Sequence, residues 1–229
     1  MMRNSRINGL MKLYRISDME GSMKVITVKP EMLKGEIEIT EKSMEAGAFF
    51  VAGGLIGNDI KCICKDFDFC EKYRLLFNVA EQLGGSVEIF DNGFKVKRGS
   101  IMKGGEIDGS EAEEWIPLIA LMSAFCKGES RIKGVPLSCR KAMSEIASEF
   151  SHLGIKTEVT ADGLVINGCQ LLKCDGTYVW KNPYLAMTLV MGASRCEGEL
   201  RVMGTDELKD EKFSDFLEIY NKIAKDKIK

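Results

Sequence analysis

The sequence predicts an α/β (α+β) fold: one domain of about 229 residues made of three βαβαββ-like units, with apolar helices enclosed by a ring of sheets. Three observations carry this expectation. Landmarks recur with a period near 70 residues, an alternating hairpin follows each of two recurrences, and helices that are apolar all round alternate with amphipathic ones.

Taken in order, Leu10 to Ile16, the turn Asp18-Met19-Glu20-Gly21-Ser22 and Met23 to Val28 read as a hairpin that runs into Leu33-Lys34-Gly35. The first repeat, about 41–99, holds the apolar helix Ala46 to Ile56, the strand around Ile60 to Cys62 and the amphipathic helix Phe67 to Leu83, stopped by Gly84. Its hairpin is Val87-Glu88-Ile89, the turn Asp91-Asn92-Gly93 and Phe94-Lys95-Val96. The second repeat, about 110–168, has the apolar helix Ala112 to Cys126, with Ser110 and Glu113 spaced as a capping box. Its strand is Lys127 to Ile132, its amphipathic helix Cys139 to Leu153 ends at Gly154, and its hairpin turns at Ala161-Asp162-Gly163. The third repeat, about 180–225, begins with Asn182 as N-cap before Pro183, continues through the helix Pro183 to Ala193 and the strand Glu197 to Val202, and stops after the helix Lys209 to Ala224. It has no hairpin of its own, so the N-terminal hairpin 10–28 is expected to close it. Short strands are expected after the Lys-containing turns Leu33-Lys34-Gly35, Met102-Lys103-Gly104 and Leu172-Lys173-Cys174. Lys61, Arg131 and Arg201, each 70 residues from the next, read as one outward-facing strand position used three times.

Composition excludes several classes of function. A chain 45% apolar and 29% charged is neither disordered nor fibrous. A net charge of −2 gives no global field for nucleic acid or an anionic membrane, so any anion site must be local. No apolar run reaches the roughly 20 residues a bilayer requires, and the start Met-Met-Arg-Asn-Ser-Arg lacks a secretory pattern, so a cytoplasmic protein is expected. The eight cysteines then read as buried thiols; Cys62, Cys64, Cys70, Cys169 and Cys174 lack zinc spacing, and one histidine, His152, supplies no second ligand. Neither metal nor cofactor is expected.

The stretches Leu33 to Ile39 with Lys42-Ser43-Met44, Pro117 to Val135 and Phe213 to Glu218 resemble one domain of the enolpyruvyl transferases, above all the 5-enolpyruvylshikimate-3-phosphate synthase branch. Leu33-Lys34-Gly35-Glu36-Ile37-Glu38-Ile39 followed by Lys42-Ser43-Met44 looks like the family's opening strand and Ser-Lys-Ser motif. Pro117 to Gly128 with Glu129-Ser130-Arg131-Ile132-Lys133-Gly134-Val135, and Phe213-Ser214-Asp215-Phe216-Leu217-Glu218, look like its C-terminal domain. The resemblance runs from about Met23 to Ala224 and implies an inside-out α/β barrel, one of two such domains that close over phosphoenolpyruvate and shikimate 3-phosphate in the shikimate pathway of aromatic amino acid biosynthesis.

That chemistry requires arginines and lysines, and most are missing. The family's arginine after the opening motif falls at Gly47, and its Asp-His-Arg motif on Asn182-Pro183-Tyr184. Its Lys-Glu-Ser/Thr-Asp-Arg motif falls on Lys141 to Glu145 or on Ser138 to Ala142, and its late lysine on Glu211, beside Lys212. Glu114 is the one plausible counterpart of a catalytic acid, and Lys42, Ser43, Arg140 and Lys141 are the candidates for a residual phosphate or other small anion. In the branch acting on a UDP-sugar a loop cysteine reacts; Cys139 has Arg140 and Lys141 beside it, a basic neighbourhood that lowers a thiol pKa, but a partly buried cysteine at a helix start needs no chemistry to explain it and is read so here. Whether the chain is an enzyme stays open. It reads as a divergent single-domain relative without activity alone, as half of a split or dimeric transferase completed by a homodimer or partner domain, or as a non-enzymatic α/β repeat interaction module.

Overall fold

A computed structural model describes residues 23–64, 69–168, 172–225 and 228. The expected strand Leu10 to Ile16 and its turn lie outside these residues.

The described residues form eleven strands: β1 (Lys24–Val28), β2 (Lys34–Ile39), β3 (Asp59–Cys64), β4 (Ser86–Phe90), β5 (Gly93–Lys97), β6 (Glu106–Asp108), β7 (Gly128–Lys133), β8 (Lys156–Val159), β9 (Leu164–Gly168), β10 (Lys173–Val179) and β11 (Glu197–Gly204). The helices are α1 (Met44–Leu55), α2 (Phe69–Gln82), α3 (Ile116–Ala124), α4 (Arg140–His152), α5 (Pro183–Ala193) and α6 (Glu211–Ile223).

The strands make three sheets, ordered β2-β3-β5-β4, β6-β7-β9-β8 and β1-β11-β10. In the first two, a parallel pair (β2 with β3, β6 with β7) is followed by an antiparallel hairpin. The third repeats the scheme with the chain's start in place of a local hairpin strand: β10 runs parallel to β11, and β11 pairs antiparallel with β1 in the register Lys24↔Gly204 to Val28↔Leu200. The sheets are separate, so among the described residues the fold is mixed α/β with no closed barrel of hydrogen-bonded strands.

The core follows from the two kinds of helix. In α3 every residue from Ile116 to Ala124 is buried, as are Ala46 to Leu55 of α1 and Leu185 to Ala193 of α5; these three helices pack on one another. Helices α2, α4 and α6 keep one polar face. Gly84 and Gly154 take φ of 94° and 73° past the ends of α2 and α4, the left-handed turn that glycine allows at a helix stop. Asn182 caps α5 by accepting from the Leu185 N–H at 2.8 Å, and Asp210 caps α6 by accepting from Phe213 N–H at 3.1 Å.

The capping box expected from Ser110 and Glu113 does not form. Asp108 Oδ1 takes the Ser110 N–H at 2.9 Å in a local turn, Glu113–Trp115 is a 3-10 turn, and α3 starts only at Ile116 with Trp115 as N-cap. The repeated outward strand position is found as expected: Lys61, Arg131 and Arg201 are 40%, 49% and 43% exposed and pair with Glu36, Glu129 and Glu199.

Candidate functional site

The first turns of α1 and α6 and the Glu113–Trp115 turn meet at one end of the helix layer. They line a cleft of about 490 Å³ formed by Glu41 to Ala46, Tyr73, Glu114, Trp115, Glu211, Lys212 and Asp215. Helix starts gather here because each apolar helix runs the same way relative to its parallel strand pair, and unpaired N–H groups at such starts attract negative charge.

Charge in the cleft runs against that attraction to foreign anions. Glu41, Glu45, Glu114, Glu211 and Asp215 face only Lys42 and Lys212, a net charge of −3 with every group ionised. Lys42 Nζ lies 3.3 Å from Glu211 and 3.8 Å from Asp215, and the hydrogen bond to Glu211 with the Asp215 charge raises its pKa. Lys212 Nζ lies 2.6 Å from Glu45 and donates to the Tyr184 hydroxyl at 2.8 Å, contacts that also raise its pKa. Tyr184 in turn donates to Glu45 Oε2 at 2.7 Å; burial pushes its phenol up, against the opposing pull of Lys212. Beneath this network Trp115 packs edge-on against Tyr184 with centroids 6.0 Å apart, and Phe49 lies 6.3 Å from Trp115 and 6.4 Å from Tyr184. Both lysines of the cleft are therefore already neutralised by the chain's own carboxylates.

The expected site residues divide. Lys42, Ser43 and Glu114 line the cleft, whereas Arg140 and Lys141 are not among its lining residues. Arg140 and Lys141 begin α4, where Lys141 is 90% exposed and 4.0 Å from Glu145. They lie at a separate helix start because Leu137–Cys139 forms its own 3-10 turn, tied to Glu113 through Ser138 Oγ at 3.3 Å. The Ser43 hydroxyl turns back on its own loop, accepting from Thr40 N–H at 3.0 Å. Cys139 is 5% exposed, a buried cysteine at a helix start as expected; burial, with Glu113 beside it, raises its thiol pKa, and its basic neighbours Arg140 and Lys141 do not activate it.

Glu45, Tyr73, Tyr184 and Asp215 were not anticipated as site residues. Tyr184 and Asp215 fall in stretches that resemble the family, and a further signal was position: each helix that follows a parallel strand starts at the same end, which puts Glu45 and Tyr184, both in first turns, within reach of one another. Among the described residues no group of three or more His, Cys, Asp or Glu is placed to hold a metal ion, and no helix is long and apolar enough to cross a membrane.

Solved structures of enolpyruvyl transferases share this architecture. EPSP synthase from Acinetobacter baumannii superposes with a TM-score of 0.65 at 18% identity, covering 81% of this chain and 46% of that one. The enolpyruvyl transferase NikO from Streptomyces tendae gives 0.60 at 17% identity, covering 77% and 42%. In sequence, the 3-phosphoshikimate 1-carboxyvinyltransferase of Clostridium perfringens (strain 13 / Type A) is 27% identical over 173 residues, 74% of this chain and 41% of the relative. The chain thus spans about 41% of the length of such relatives. Residues 13–219 match the sequence profile described as EPSP synthase (3-phosphoshikimate 1-carboxyvinyltransferase), and with most of its length inside that match the chain belongs to the EPSP synthase family.

Proposed function

We propose that residues 1–229 form a single EPSP-synthase-like domain that does not by itself transfer an enolpyruvyl group. Its three repeats, about 41–99, 110–168 and 180–225, stand around the apolar helices in the inside-out arrangement the family resemblance implies. The hairpin 10–28 closes the third repeat, a reading that the pairing of β1 with β11 supports. One observation carries the functional conclusion: the cleft at the helix starts holds five carboxylates against two lysines already paired to them. Phosphoenolpyruvate and shikimate 3-phosphate are both multiply anionic, and in a partly desolvated cleft unpaired like charges repel them strongly.

A second reading is favoured by the 41% coverage of the relatives: a partner supplies the cations and completes a split transferase. A homodimer through this face would set two clefts of net charge −3 against each other, so a separate partner domain with a basic face fits better than a second copy. For the third reading, a non-enzymatic interaction module, the family match removes an unrelated origin and leaves the interaction role to the same test.

The test is phosphate release from phosphoenolpyruvate with shikimate 3-phosphate by the purified chain, alongside thermal shift with each compound. A ligand at 100 times its Kd would stabilise the fold by about 2.7 kcal/mol, a rise in Tm of roughly 5 to 10 °C for a domain of this size. No turnover and no shift are expected. Phosphate release by the chain alone would overturn the reading, and turnover that appears only when a second polypeptide is added would select the split enzyme.

A further inference from the structure

The three repeats open alike except at one point. Lys34 stands opposite Asp59 where β2 and β3 begin, and Lys173 opposite Glu197 where β10 and β11 begin, so each of these lysines has an acidic partner across the ladder. In the middle repeat the bridge that precedes β6 and β7 sets Lys103 against Lys127, an arrangement that like charges destabilise. The acids at hand are engaged elsewhere: Glu106 takes Lys133, and Glu129 takes Arg131. Among the described residues no ion pair joins either lysine to a carboxylate, Glu81 in the last turn of α2 included. Arg98 adds a third cation, its Nη2 donating to the Phe125 carbonyl at 3.1 Å, two residues before Lys127. Beside them Ile101 is 66% exposed.

Because β6 and β7 run parallel and α3 returns between them, the residues that follow these strands lie at the opposite end of the repeat. There Leu137 is 76% exposed; it and Ile101 are the two most exposed large apolar side chains among the described residues. Its neighbour Ser138 lies 3.3 Å from Glu113, and Glu111, Glu113 and Glu114 are all exposed. Arg140 and Lys141 offset Glu111 and Glu113, which leaves this end with the net charge of −3 of the cleft. Each end of the middle repeat thus joins a bare apolar side chain to charge of one sign, and the two signs are opposite.

We propose that the chain associates head to tail with a second copy of itself: the patch of Arg98, Ile101, Lys103 and Lys127 on one copy seats on the end of the next that carries Leu137, Glu113 and Glu114. Two copies meeting by their cleft faces set like charges together, whereas this orientation pairs opposite charges and buries Ile101 and Leu137. The contact joins two different surfaces, so it adds copies in a row and does not close a twofold dimer. It rests on the charge of the cleft and not on what the cleft binds.

Sedimentation velocity on the full chain tests this. At an ionic strength of about 0.01 M, where screening extends over about 30 Å, the sedimentation coefficient should rise with protein concentration, and at about 1 M, where screening shortens to about 3 Å, the rise should vanish. K103E/K127E makes both ends acidic and E113K/E114K makes both basic, so each variant should be monomeric alone and the two mixed should recover the association. A parent chain that stays monomeric at low salt overturns the proposal, as does association that persists in either variant or fails to return on mixing. Where circular dichroism finds a reversed chain unfolded, Lys103→Ala and Glu113→Ala decide instead: each should weaken association by roughly 1.5- to 5-fold, the range of an exposed ion pair, and an unchanged constant in either overturns it. Phosphate release by the chain would sink the reading of the cleft and leave this test untouched.

Discussion

Removal of residues 1–28 should unfold the entire domain, because β1 is a structural strand of the third sheet and not an appendage. Its inward side chains, Ile26 at 8% and Val28 at 1% exposure, lie on the core, while Val25 at 40% faces out. Burying a side chain of this kind contributes about 1.5–3 kcal/mol, so the two together account for roughly 3–6 kcal/mol, an upper figure because unfolded chains are already partly compact. The ladder with β11 spans five registered pairs from Lys24↔Gly204 to Val28↔Leu200. Its hydrogen bonds add about 0.5–1.5 kcal/mol each, and losing them leaves one edge of β11 unpaired beside the core. The loss of roughly 5–10 kcal/mol is comparable with the whole stability of a domain, about 5–15 kcal/mol. Circular dichroism melts of the truncated chain should show no cooperative transition. A graded probe avoids an all-or-none outcome: Val28→Ala deletes about two methylenes' worth of buried surface, about 2 kcal/mol with its cavity, or a fall in Tm of roughly 4–8 °C. Val25→Ala should stay within about 0.5 kcal/mol of the parent. A truncated chain that melts cooperatively within a few degrees of the intact one, or equal effects at positions 25 and 28, would refute the closure of the third sheet by β1.

Three further outcomes are expected. Lys212→Met removes the ammonium that Glu45 and Tyr184 share and leaves their direct hydrogen bond, and with side chains 44% and 45% exposed in the ion pair the cost stays below about 1 kcal/mol, so calorimetry should show Tm lowered by less than about 4 °C. Stability should fall on the alkaline side: burial pushes the Cys126 thiol up to about 11 and the Tyr178 phenol up to about 12. Because these folded values lie above the unfolded ones of about 8.5 and 10, the stabilisation is complete below about pH 8.5 and is lost as pH rises through 9 to 12; equilibrium urea melts across that range should show a falling midpoint. Cys62, Cys64, Cys126, Cys139, Cys174 and Cys196 are all buried, so peptide mapping after brief treatment of the native protein with a thiol reagent should find these six unmodified and find them labelled once urea is added.

Local chemistry was legible in the sequence to the extent that it was decided locally. The caps at Asn182, Gly84 and Gly154 and both described hairpins depend on a few adjacent residues and appear where their residue types place them. Ser110 and Glu113 show the limit: the spacing suited a cap, but Asp108, two residues earlier, captured the same N–H and shifted the helix start to Ile116. The cleft was less legible because its contacts are distant in sequence. Glu45 and Tyr184 are 139 positions apart, and their hydrogen bond depends on two helix starts meeting across the core. Lys42 and Ser43 were read as phosphate ligands from a motif, yet which partner a lysine takes is set by what faces it, and here Glu211 and Asp215 do.

The placement of acids at the helix starts also bears on how this scaffold could serve a transferase. Glu45 and Glu211 stand in first turns, and Glu113 and Glu114 in the 3-10 turn before α3, where a carboxylate gains about 0.3–1 kcal/mol from the helix dipole. Lys42 and Lys212 sit at the same positive ends, an unfavourable place for a cation, and are held there by the very carboxylates that, on the proposed reading, exclude an anionic substrate. Freeing the lysines for a phosphate would therefore remove both their partners and the stabilising acids. An arginine or lysine presented from a second polypeptide carries no such conflict: it is repelled by no helix dipole of its own, and the excess of carboxylates attracts it. On this scaffold the cations of a working site are more readily brought by a partner than by substitutions within the chain.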